Sequence, residues 1–161
     1  MTDGEVCHGG RVHPITATRV FDMDAGSLFD RITALKNHER LIPFTRIEAP
    51  GRRPRVGDTV VATSLGVIRD VMLLTRYERP GARGGNHPGT AMYRKVGPLL
   101  LGTAEITVTP LPDHTARVDW TEEVHLAGPF PTELTSAVVG HFLTLMTGRA
   151  LRRFELLNGA R

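Results

Sequence analysis

The chain has 161 residues, 40% of them hydrophobic and 23% charged, enough to bury one sizeable core, so a single domain over residues 11–161 is expected behind a polar, Gly-rich tail at residues 1–10. No apolar run approaches the roughly 18 residues of a membrane span, and the first ten residues hold no apolar stretch, so neither a span nor a signal peptide is expected, and a cytoplasmic location is. The formal charge is +3, carried by 18 arginines beside Lys36 and Lys95; they are scattered apart from Arg52, Arg53 and Arg55, and no recognition helix, zinc finger or aromatic stacking motif joins them, so nucleic acid is not an expected partner.

In chain order, Arg11 to Phe21 alternates as a first strand. Asp24 then caps a helix expected from Ala25 to about Lys36, with Leu28, Phe29, Ile32 and Leu35 on one face. A second short helix, His38 to Leu41, stops before Pro43, because the residue preceding a proline avoids helical backbone. Phe44 to Glu48 reads as a short strand, followed by a Pro/Arg/Gly loop from Pro50 to Gly57. Asp58 to Leu65 and Val67 to Glu78 form two strands joined tightly at Gly66. The loop Arg79 to Gly89 carries Gly81, Gly84, Gly85 and Gly89 with Pro80 and Pro88, but lacks the strand-to-helix setting of a phosphate loop and reads as a hairpin tip.

Thr90 to Val96 and Leu99 to Thr109 are two further strands broken near Gly97-Pro98, and after a turn at Pro112-Asp113 the last strand runs from Thr115 to His125. From Pro131 to about Leu157, Leu134, Val138, Phe142, Leu145, Met146, Ala150, Phe154 and Leu157 recur every three or four positions, the face of a long amphipathic helix. One strand, two short helices, six strands and a long helix, without sustained βα alternation, exclude a doubly wound parallel sheet and predict an α+β fold in which a curved antiparallel sheet wraps the terminal helix.

Period-two alternation assigns the faces of the last two strands. Leu100, Ala104, Ile106 and Val108 share one face; Ala116, Val118, Trp120 and Val124 share another, and Glu122 falls among them, an inward carboxylate beside Trp120. On the central hairpin, Asp70 and Arg76 share a face with Ile68, Met72 and Leu74, while the opposite face is almost as apolar. Met92, Arg94 and Val96 share a face on the next strand, so an inward Asp70 is expected to meet an inward Arg94. Asp70, Arg94 and Glu122 are therefore the candidate acid, base and oxyanion-stabilising groups, or else a buried ion pair and a carboxylate that hold the sheet together.

The seven histidines show no metal-ligand spacing, the single Cys7 has no partner, and no G-x-S-x-G elbow surrounds Ser27, Ser64 or Ser136, so neither metal, cofactor, disulfide nor nucleophilic hydrolysis is expected. His141, at the edge of the terminal helix stripe, reads as a boundary residue.

Four stretches, LFDRITALKNHERLIPF, VGDTVVATSLGVIRDVMLLTRYERPG, GPLLLGTAEITVTPLP and RVDWTEEVHLAGPF leading into ALRRFELL, together with the element order, resemble the START-like helix-grip superfamily, also called SRPBCC, over Arg11 to Leu157. The superfamily includes polyketide cyclase/dehydratase-like and lipid-transfer proteins, and the chain looks most similar to its small uncharacterised bacterial members. The resemblance implies a seven-stranded antiparallel sheet gripping the C-terminal helix, with two short helices after the first strand and a hydrophobic cavity between sheet and helix. It implies no catalytic residue, because the superfamily shares none, and the Trp that many relatives carry in the second short helix is replaced here by the region of Leu41 and Phe44.

Three functions follow as expectations. The first is binding of a small hydrophobic molecule (a lipid, polyketide or aromatic compound), with Phe29, Phe44, Met72, Met92, Trp120, Phe142 and Met146 as walls. The second is a cyclase/dehydratase-like enzyme in which Glu122 or Asp70 moves a proton and Arg94 stabilises an enolate-like oxygen. The third is a partner-binding protein that uses the outer sheet face or a homodimer surface.

Overall fold

A computed structural model describes residues 14–35, 39, 42, 44–82, 84–128 and 132–158, with the side chains of 132–143 and 158 outside that description. The elements are β1 (Ile15–Phe21), α1 (Ala25–Ile32), β2 (Thr45–Glu48), β3 (Thr59–Ser64), β4 (Ile68–Glu78), β5 (Gly89–Pro98), β6 (Leu100–Pro110), β7 (Ala116–Leu126) and α2 (Thr132–Asn158). All seven strands form one antiparallel sheet in the order β1-β7-β6-β5-β4-β3-β2, curled into a half-barrel. Six strands meander in sequence, and β1 closes the far edge by pairing with β7, Ala17 opposite Trp120. The expected α+β helix-grip architecture is present. The tail, Cys7 and nearly all of the second short helix lie outside the described residues.

Asp24 starts α1 as its sequence position predicts. Its Oδ1 accepts from the Ser27 N–H at 2.9 Å, and this bond holds its carboxyl below the usual carboxylate range. The helix is shorter than expected. The Thr33 hydroxyl donates to the Phe29 carbonyl at 2.7 Å, the local bond by which a threonine competes with helix propagation. Leu28, Phe29 and Ile32 are buried against β5, β6 and β7.

In the described half of α2 the buried positions are Thr147, Ala150, Leu151 and Phe154, one stripe at helical spacing that packs on β7 and β1. Phe154 meets Phe21 edge to face, with centroids 5.5 Å apart. Leu145 and Leu157, expected on this stripe, are exposed. At 100° per residue Leu145 lies opposite Phe154, and Leu157 falls past the last buried turn, so the face pointing at the sheet is narrower than the sequence stripe.

Candidate functional site

Cross-strand pairs in a sheet share a face, so the inward set of one strand fixes that of its neighbour. β6 presents Ala104, Ile106 and Val108 to the core, as its alternation predicts. Its register sets Ala91 opposite Ile106 and Tyr93 opposite Ala104, which turns Ala91, Tyr93 and Lys95 inward on β5. Met92, Arg94 and Val96 consequently face outward, which corrects two expectations. Arg94 is exposed and does not meet Asp70, and Met92 does not line the space under α2. The sequence misleads here because Met, Arg and Val look more core-like than Ala, Tyr and Lys. Pairing with β6 overrides that preference.

On β4, Asp70, Met72 and Leu74 face inward. A bulge between Leu74 and Arg76 then resets the alternation, so Arg76 turns outward, where its guanidinium donates to Glu78 at 3.0 Å, and Tyr77 turns inward onto Phe29. On β7 the expected phase is present: Trp120, Glu122 and Val124 are all buried.

These phases converge on a charged cluster, with Lys95, Asp70 and Glu122 only 6%, 8% and 4% exposed. Lys95 Nζ donates to Asp70 Oδ2 at 2.6 Å and lies 3.5 Å from Glu122 Oε2, with Met72 Sδ at 3.9 Å. Trp120 Nε1 donates to Glu122 Oε1 at 3.0 Å. Lys95 spans from β4 to β7 because the intervening strand offers only small residues. Gly102 pairs with both Lys95 and Val124, and Ala104 with both Tyr93 and Glu122. Gly102 has φ +126, and a Cβ there would come within 2.0 Å of the Glu123 carbonyl oxygen.

Electrostatically the three groups are not equivalent. Burial pushes the Glu122 carboxyl above its ordinary value, opposed by the Lys95 charge and the Trp120 N–H. Burial also works against the Lys95 charge, but Glu122 and Asp70 together outweigh it and raise the ammonium above its ordinary value. Lys95 thus remains a cation, and Glu122 holds a proton more tightly than a free carboxyl would. Among the described residues, Asp70 Oδ1 and Glu122 Oε2 are buried without a hydrogen-bond partner. Lys95 escaped the sequence reading; its signal was that a chain so biased to arginine places one of its two lysines at a position sharing the Tyr93 face.

The expected wall residues divide. Phe29 is fully buried in the core and Trp120 nearly so. Met72 and Met146 are half-buried. Phe44 is 79% exposed, with a left-handed backbone at φ 59 that directs it to solvent, so it lines nothing between sheet and helix. Phe142 lies on α2 among the side chains outside the described set. Two cavities are present elsewhere. One of about 270 Å³ sits between α1 and the β2–β3 loop, bounded by Asp30, Leu35, Arg53, Asp58 and Tyr77. Another of about 440 Å³ lies at Asp24, Pro110 and His114. Neither touches the Lys95 cluster. No group of three or more potential metal ligands occurs among the described residues.

No family model and no curated protein matches this chain. Solved structures match its shape. A hypothetical protein of Helicobacter pylori superposes with a TM-score of 0.69 at 10% identity, over 95% of this chain and 96% of that one. A START superfamily protein of Mycobacterium smegmatis gives 0.61 at 13% identity, over 89% and 99%. The human StarD13 (DLC2) lipid transfer and protein localization domain gives 0.63 at 13% identity, over 91% and 79%. At such identities the likeness is one of fold, and the fold is the START-like helix grip.

Proposed function

We propose that the protein binds a small, mostly apolar molecule on the inner face of the sheet, its polar end held at Lys95, Asp70 and Glu122. The observation that carries this reading is the pair of buried carboxylate oxygens, Asp70 Oδ1 and Glu122 Oε2, that accept no hydrogen bond among the described residues, Glu122 Oε2 having only the 3.5 Å approach of the Lys95 ammonium. Leaving such acceptors unpaired costs about 1–3 kcal/mol each, which a ligand donor would recover. The START-like fold supports the reading, and one protein of that shape is described as a lipid transfer domain.

The chemistry of the cluster selects the ligand's polar end. Lys95 is already shared by two carboxylates, so no cation is spare for an anionic head group. The unpaired atoms are acceptors, so the fitting group is a donor without negative charge, such as an alcohol or a phenol. Trp120 bonds directly to Glu122, so its fluorescence reports on the site. Titration with long-chain alcohols and alkylphenols should shift Trp120 emission, and the matching fatty acids should act more weakly. Asp70→Asn should weaken the response. No change with any of these ligands, or an unaltered response in Asp70→Asn, overturns the reading.

A cyclase/dehydratase-like enzyme is the second reading, favoured by the raised Glu122 carboxyl lying close to a fixed ammonium. Glu122 would then move the proton, while Arg94, on the outer face of β5, takes no part.

A further inference from the structure

At one end of the sheet the β3–β4 turn and the start of β2 come together. Leu65 N–H donates to the Phe44 carbonyl at 2.9 Å, and Ser64 pairs with Thr45 on one side and Ile68 on the other. Three large apolar side chains project from this end: Phe44, Leu65 and Val67, exposed to 79%, 66% and 82%. Phe44 and Leu65 hold left-handed backbone, φ 59 and 53, a conformation that bulky residues adopt at a cost and that Gly or Asn would adopt freely. The same end carries exposed Val96 and Leu99 from the β5–β6 turn. Immediately behind the apolar tip, Arg46 and Arg69 flank Thr63 in one cross-strand row, both exposed and without an ion-pair partner among the described residues. Segments 44–47 and 63–69 contain no carboxylate of their own; the nearest are Glu39, whose Oε1 accepts from the Ile47 N–H at 2.7 Å, and Glu48 at the end of β2.

Apolar prongs backed by a pair of arginines match the two layers of a bilayer surface, hydrocarbon beneath anionic head groups. We propose that this end of the sheet docks on an anionic lipid membrane, with Phe44, Leu65 and Val67 inserted at the level of the acyl chains and Arg46 and Arg69 on the phosphates. The assignment does not rest on what the Lys95 cluster binds: Arg69, next to Asp70 in the chain, is exposed on the opposite face of β4.

The test is co-sedimentation of the full chain with vesicles of phosphatidylcholine alone or mixed with phosphatidylglycerol, at low and high salt. Wild type should be retained by the phosphatidylglycerol vesicles and released by salt. The variant F44N/L65N/V67T, with asparagine at both left-handed positions so that the backbone is relieved rather than strained, should lose about tenfold or more of that retention. It should still unfold cooperatively, with the Trp120 emission of the wild type. R46Q/R69Q should bind less and with a flatter salt dependence. Absence of wild-type binding to anionic vesicles, or equal retention of F44N/L65N/V67T, overturns the assignment. So does a concentration-dependent dimer of the wild type that F44N/L65N/V67T abolishes without any vesicle binding, which would make the tip a contact between two copies.

Discussion

Lys95 shows how one side chain organises a sheet interior. A buried ammonium is unfavourable alone, and two carboxylates are unfavourable together; the three persist because each charge is opposed by its neighbours. Lys95→Met should therefore cost about 3–5 kcal/mol in urea unfolding, because it leaves two buried acids without their cation. Adding Asp70→Asn and Glu122→Gln to that variant should restore most of the loss, since all three sites would then be neutral. The Glu122 shift carries a definite sign. Its folded carboxyl binds protons more tightly than the unfolded one, so its stabilising contribution is complete below its ordinary value near 4.5 and is lost as pH rises through the higher folded value. Glu122→Gln should thus melt higher relative to wild type at pH 7 than at pH 4, and a melting difference that shrinks with rising pH contradicts the assignment. Glu122 and its inward direction were legible from alternation on one strand. Lys95 was not, because its direction depends on a neighbouring strand.

At the scale of elements, strands with one apolar face were readable and those with two were not. β6 and β7 carry Ala104, Ile106, Val118 and Trp120 on a single phase, and the structure keeps that phase. β4 offers apolar residues on both faces and bulges twice, so no strict period-two rule assigns Arg76. The narrowest constraint on the sheet is Gly102, where β6 runs so close to the β7 backbone that no side chain fits. Gly102→Ala should cost about 2 kcal/mol or more in equilibrium unfolding and disturb the Lys95–Glu122 approach. A neutral result would mean that β6 and β7 separate there without penalty. The start of β2 breaks a different rule, since Phe44 and Leu65 spend backbone strain on display to solvent, a local conflict of the kind that marks functional surface.

For the whole molecule, α2 is the element that turns a curled sheet into a closed core. Its Phe154, edge-on to Phe21, ties it to β1, and Arg19 pairs with Glu155 beside that contact. Phe154→Ala should lower stability by about 3–5 kcal/mol in a single cooperative transition, while Leu145→Ser on the exposed face should be near neutral. A near-neutral Phe154→Ala, measured in urea, would mean that helix and sheet are not one folding unit. The α1 side of the inner face is filled by Leu28, Phe29 and Ile32, which confines the polar cluster to the part of the face beyond Trp120.

Local order alone determined the number and sequence of strands, the Asp24 cap, the inward Glu122 beside Trp120 and the helix-grip architecture, because period, breakers and caps act over a few residues. Tertiary structure decided which cation meets the buried acids, which methionines face inward, how much of the α2 stripe is used and where Phe44 points. Each of those depends on cross-strand register, bulges or the width of a packing face, which are set by partners distant in the chain.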